Sequence, residues 1–202
     1  LKQQIKDKGF EQIMEQIDIT GKTLLHVATA SANMKIVRYL LLNFNGVSLN
    51  VKDRHVPLSL FLSLSLSLSL SYSLSRLIIL CCYTGRSGMT PLHLACFSLA
   101  HSEKNLRMVR FLLTNNLCDV RAQAKDGSTA FHYYMRYFYD GEQKEKLLEY
   151  LRVGALFLGK RIDINAKNRH GETPLHSACI AGRLLAVNWL VRHGADINST
   201  TR

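Results

Sequence analysis

Acidic residues are the scarce ones: 15 Asp and Glu stand against 26 Lys and Arg, which leaves a formal charge of +11. Such an excess attracts nucleic acid, anionic lipid or an acidic protein surface. The cations are scattered singly, however, and no nucleic-acid reading module is present, so nucleic acid is not expected as a partner. The five cysteines form no C-x-x-C pair, and their odd number argues against a disulfide framework. A reducing compartment, and hence a cytoplasmic location, is the expectation. No phosphate-binding G-x-x-x-x-G-K-[ST], G-x-S-x-G elbow or H-E-x-x-H occurs. The few carboxylates are dispersed, so neither a catalytic site nor a cofactor, metal or small-molecule substrate is expected. The opening residues, LKQQIKDKGFEQ, lack the apolar core of a signal peptide. They begin with Leu1, and the chain is expected to be a piece of something longer.

What remains is a 202-residue chain, 47% apolar and 20% charged, which suits a sizeable core. Its organisation is repetitive. GKTLLHVA (21–28), GMTPLHLA (88–95), GSTAFHYY (127–134) and GETPLHSA (171–178) align, and each precedes a second apolar segment. Those segments are IVRYLLL from Ile36, MVRFLL from Met108, LLEYL from Leu147 and AVNWLV from Ala186. Polar turns follow, SLNVKDR, DVRAQAKD, IDINAKNRH and ADINSTTR in order. The second segments carry apolar residues at helical spacing, such as Val37, Leu40 and Leu41. Thr90 and Thr173 suit helix N-caps, and Pro91 and Pro174 suit the first helical position. Gly182 and Gly194 stand where helices should stop. No single unit can bury its own stripe, so stacking must stabilise the array.

The pattern G-x-T-P-L-H-x-A, a second helix, then D-[VI]-N-A-K-[DN] resembles the ankyrin repeat. The fourth copy, GETPLHSACIAGRLLAVNWLVRHGADIN, matches almost throughout. The resemblance implies an all-α solenoid of stacked antiparallel helix pairs with β-hairpin or loop junctions. Repeats are expected at 18–55, 88–125, 126–169 and 170–202, with 1–17 as a helical cap or partial repeat. It also implies that His26, His93, His132 and His176 bond between neighbouring repeats. Copies about 10 Å apart cannot share a zinc ion whose ligands lie about 2 Å away. Cys96 and Cys179 follow the shared alanine slot and read as core thiols.

Motif glycines are 67, 39 and 44 residues apart, against a family period of about 33. The largest surplus is residues 56–87, which include LSLFLSLSLSLSLSYSLS. Removing them joins Asp53-Arg54-His55 to Gly88-Met89-Thr90, matching Asn168-Arg169-His170-Gly171-Glu172-Thr173. The run thus falls at a junction tip. A CT dinucleotide repeat read as CTC TCT yields Leu-Ser, so its expected origin is translated non-coding sequence, such as an unspliced intron. Two alternatives stand beside this. Residues 56–75 are uncharged and as long as a membrane span, although serine-rich spans insert poorly. The alternation also suits a strand, which would be an unpaired aggregation hazard.

The third repeat departs furthest. FHYYMRYFY (131–139) is dense in rings, and Tyr134 takes the slot of Ala28, Ala95 and Ala178. Such a residue should push its two helices apart. Phe131, Tyr134 and Phe138 are expected to fill the gap. Tyr133, Tyr137 and Tyr139 could instead stay partly exposed as binding anchors.

In ankyrin arrays the ligand is gripped by hairpin tips and adjoining first helices. Carried over position by position, that face comprises Lys22, Met89, Lys125, Asp126, Ser128, Asn168, Arg169, His170 and Glu172. Tyr133 and Tyr137 are added from the aromatic run. Lys22, Lys125 and Arg169 give the tips a basic lean, so an acidic protein or peptide is the natural partner. The expected function is a non-catalytic protein-interaction module. The alternatives are the scaffolding arm of a larger kinase, GTPase regulator or acyltransferase, or a membrane-tethered protein. Sequencing of transcripts is expected to recover messages lacking the codons for 56–87. Their absence, with the run kept in close relatives, would overturn the non-coding origin.

Overall fold

The computed structural model describes residues 22–43, 52, 88–100, 104–114 and 119–202. Both the expected N-terminal cap (1–17) and the Leu-Ser run (56–87) lie outside the described residues. Eight α-helices occur among those described. The first helices of the four units are α1 (Leu24–Ala30), α3 (Pro91–Phe97), α5 (Ala130–Arg136) and α7 (Pro174–Ile180). The second helices are α2 (Met34–Asn43), α4 (Lys104–Thr114), α6 (Lys144–Gly159) and α8 (Leu184–Arg192). A 3₁₀ turn, Ser98–Ala100, lengthens the connection from α3 to α4.

Local chemistry explains where the first helices begin. Thr23, Thr90, Thr129 and Thr173 each hold an extended backbone immediately before a first helix. Pro91 and Pro174 then occupy the first helical turn, where no amide hydrogen is needed. Helix ends are marked by left-handed residues. Gly182 (φ 67°) follows α7 and Gly194 (φ 89°) follows α8. Ala32 (φ 53°) and Arg161 (φ 54°) adopt the same conformation after α1 and α6. A side chain costs roughly 1–2 kcal/mol in that region, and the surrounding stack holds both residues there.

Packing follows the repeat. The helices α1, α3, α5 and α7 lie side by side, and the second helices pack behind them. Leu25, Leu92, Phe131 and Leu175 are buried at one equivalent position of the four first helices. Val37, Val109, Val153 and Ala186 are buried on the second helices. Each full burial of a Val, Leu or Phe side chain contributes roughly 1.5–3 kcal/mol. On the last unit Ile180, Leu184, Val191 and Ile197 remain exposed. Cys96 is a core thiol, but Cys179, in the equivalent slot, is exposed and is not. The difference is the following unit: Cys96 lies close to Tyr134, whereas no described helix covers that side of α7. No described helix is long and apolar enough to cross a membrane.

The third unit is held open, as its tyrosine requires. In the other three units the two helices pack closely, whereas α5 and α6 do not. Rings fill the space between them. Tyr134 sits 5.1 Å from Phe157, 5.8 Å from Phe138 and 6.1 Å from Tyr150, centroid to centroid. Its hydroxyl donates to the Tyr150 carbonyl, which satisfies the one polar atom buried with the ring. Burial also pushes its phenol pKa well above the ordinary value. Restoring the alanine of the other units by Tyr134→Ala is therefore expected to destabilise the chain. The cavity should cost about 3–5 kcal/mol in urea unfolding, whereas no loss would show that α5 and α6 can close.

Candidate protein-interaction face

The face is built at the loops that join one unit to the next. Its first requirement is glycine. Gly88, Gly127 and Gly171 have φ of 79°, 78° and 77°. A Cβ on them would stand 3.1 Å from Lys125 N, 2.9 Å from Arg169 N and 2.8 Å from Arg202 N. Both the conformation and the approach of the next tip exclude a side chain. The tips then bond to one another, Arg169 N–H to Asp126 O at 2.9 Å and Arg202 N–H to His170 O at 3.0 Å. Within a tip, Gln123 and Thr129 form an antiparallel bridge.

Imidazoles fasten the tips to the helices. In each unit the threonine N–H donates to Nδ1 of the histidine three residues on, at 3.1–3.2 Å. An amide can only donate, so Nδ1 carries a lone pair and Nε2 carries the proton. That proton goes to the next unit: His26 to Met89 O (3.0 Å), His93 to Ser128 O (3.2 Å) and His132 to Glu172 O (3.2 Å). The inter-repeat role implied by the resemblance is thus present at three histidines. Both ring nitrogens of each are engaged, so neither offers a lone pair to a metal. His176 makes the same Nδ1 bond and is only half-buried.

Polar side chains hold the third and fourth tips in shape. Asp126 accepts Ser128 N–H at 2.9 Å, Ser128 Oγ–H at 3.1 Å and the Tyr133 hydroxyl at 3.1 Å. Asn168 accepts the amides of His170 and Glu172, both at 2.9 Å. Its own Nδ2 donates to Ser128 Oγ at 3.3 Å and Glu172 Oε2 at 2.8 Å. Beside these residues lies a polar cleft of about 60 Å³, reached by Arg136, His170 and Ser177 as well.

The expected contact residues divide by burial. Lys125, Arg169 and His170 are exposed, and Asp126, Tyr137 and Glu172 are half-buried. Met89 is fully buried, and Lys22, Ser128, Tyr133 and Asn168 are buried as well. These five lie beneath the surface rather than on it. Tyr133 in particular is an edge-on neighbour of His93 (5.9 Å) and Phe97 (6.2 Å), not an exposed anchor. Tyr137 stands edge-on to Phe97 at 5.4 Å and keeps part of its surface free. Arg136 and Arg202 belong to the surface and were absent from the expected set. Arg202 was legible as the fourth-unit counterpart of Arg169; Arg136 gave no local signal, since only the cleft singles it out.

Comparison with known proteins decides the family. The family model "Ankyrin repeats (3 copies)" matches residues 97–201, and the model "Ankyrin repeat" matches residues 20–54. The chain belongs to the ankyrin-repeat family. Ankyrin repeats are themselves non-catalytic and serve generally as protein-interaction modules. A "Probable serine/threonine-protein kinase" of Dictyostelium discoideum is 34% identical over 52% of this chain and 11% of its own length. Alpha-latrotoxin-Lg1a of Latrodectus geometricus is 33% identical over 44% of this chain and 6% of its own. The "Putative ankyrin repeat protein FPV244" of fowlpox virus is 37% identical over 34% of this chain and 10% of its own length. The chain therefore spans about a tenth or less of these relatives.

Burial gives the ankyrin histidines a pH signature. Desolvation lowers the pKa of His93 from 6.5 to about 4, and lowers that of His132 as well. The unfolded imidazole binds a proton below about pH 6.5, which folded His93 refuses until about pH 4. The unfolded state thus holds more protons in that window, so stability is complete above pH 6.5 and falls as pH drops toward 4. Urea unfolding is expected to show His93 alone removing about 2 kcal/mol between pH 7 and pH 5. His93→Gln should flatten the slope, and an unchanged slope would overturn the assignment.

Proposed function

We propose that this ankyrin array binds a partner protein or peptide through its hairpin tips and the adjoining inner helices. One observation carries the reading. The exposed tip residues Lys125, Arg169 and His170 stand on a layer of buried polar groups that holds them in place. A tip backbone already held in place loses less freedom on binding, which suits recognition better than a merely soluble edge. The basic lean of Lys125 and Arg169 favours an acidic surface. Half-buried Arg136 borders the polar cleft and half-buried Tyr137 follows it in the chain; both residue types are enriched where binding energy concentrates.

In this reading the units are 18–55, 88–125, 126–169 and 170–202, with 56–87 inserted in the chain after the first. The protein is cytoplasmic, in keeping with the free thiols of Cys96 and Cys179. Its partners include neither nucleic acid nor a small-molecule substrate, and it has no catalytic activity of its own. A second reading has support from the relatives. Their matched segments make up only 6–11% of their length, so the array acts as the scaffolding arm of a larger signalling protein.

The test is the double substitution Lys125→Glu and Arg169→Glu. Binding to an isolated partner is expected to weaken at least tenfold, with the circular dichroism spectrum and thermal midpoint unchanged. Unchanged affinity would remove the tips from the interface.

A further inference from the structure

The tip cations stand in register. Lys125, Arg169 and Arg202 occupy the same slot of successive units, each presenting its amide to the motif glycine of the unit before, at 3.1, 2.9 and 2.8 Å from a Cβ built there. All three side chains are exposed. None of them has an ion pair or side-chain hydrogen bond among the described residues. The neighbouring carboxylates are in the opposite situation. Asp126 is engaged by Ser128 and Tyr133, Glu172 by Asn168, and Asp196 by Asn198 N–H and Ser199 Oγ–H. Asp163 accepts from Asn165 N–H within its own loop. Anions in this region are used internally, and the cations are left for something else.

We propose that this row binds an acidic protein segment in polyproline II conformation, with Asp or Glu at every third residue. The inference rests on the tips being a binding face and specifies what that face recognises. Successive units advance by one layer of packed helices, about 10 Å. Polyproline II has three residues per turn and a rise of about 3.1 Å, so every third side chain points the same way at about 9.3 Å intervals. A β-strand covers the same distance in three residues but turns the third side chain to the opposite face. An α-helix reaches about 10.5 Å only at every seventh residue and would bring an apolar face. Among the described residues the tips offer it no apolar groove, since Met89 is buried there. Polyproline II keeps its backbone fully solvated, which matches a row of exposed cations over polar loops. Duplex DNA rises about 3.4 Å per phosphate along each strand, so its third phosphate stands about 10.2 Å on but is rotated by more than a quarter of a turn, off the row.

The experiment uses the full 202-residue chain and fluorescence anisotropy with four labelled probes. The first is a peptide of five Glu-Pro-Pro units, and the second has the same composition with its glutamates clustered. The third is an acidic helical peptide with glutamate at every seventh position, and the fourth a single-stranded DNA of equal charge. Glu-Pro-Pro is expected to bind at least tenfold tighter than each of the others, and Arg169→Glu should remove at least tenfold of that affinity. Equal or tighter binding of the clustered peptide would reduce the row to unspecific attraction and overturn the proposal. Tighter binding of the helix or the DNA, or no binding of any probe, would overturn it as well. If a purified partner still binds through Lys125 and Arg169 while all four probes fail, this inference falls and the tip reading stands. If that partner binds without regard to the tips, the tip reading itself falls.

Discussion

The imidazole that reaches from one unit to the next is the interaction on which the rest of this structure depends. A two-helix unit of this size cannot cover its own apolar stripe, so its stability comes from its neighbours. Hydrophobic burial alone would allow neighbours to slide. The histidine prevents this, because Nδ1 is committed to the threonine that starts its own helix and Nε2 to a carbonyl of the next tip. One side chain thereby sets a helix start, the separation of two units and the position of a loop. Its burial disfavours the charged form, so stability falls as pH drops from about 6.5 toward 4.

The same bond links the core to the surface. The carbonyls that accept from His93 and His132 belong to Ser128 and Glu172, and these residues sit in the polar networks of Asp126 and Asn168. A tip residue such as Arg169 is therefore fixed through two layers of hydrogen bonds from the helices. The third unit adds a different device. Its rings fill the space between α5 and α6, and Arg136 at the end of α5 borders the interrepeat cleft. Divergence from the family pattern here alters shape without loosening the core.

Much of this was readable from residue order because the signals are local. Glycine before threonine, proline at the first helical turn and histidine three residues on each act within a few bonds, so their spacing reveals the unit directly. Tyr134 in an alanine slot was legible too, since volume must go somewhere in a packed interior. Burial at the tips was less accessible. Met89, Lys22, Ser128 and Asn168 occupy slots where the family meets its ligands, yet here they are buried. Cys96 and Cys179 share one slot and differ in exposure, because exposure depends on what lies beside the unit rather than on its own residues.

By itself the sequence determined the repeating helix pair, its starts and stops, and the residue type in each slot, since all of these follow from steric and hydrogen-bonding rules acting within one unit. Only the tertiary structure decided which side chains face solvent. It separated the side chains of Lys125, Arg169 and Arg202, which have no partner among the described residues, from the carboxylates beside them, already bonded. That separation arises between units, where backbones from distant parts of the chain come within hydrogen-bonding distance.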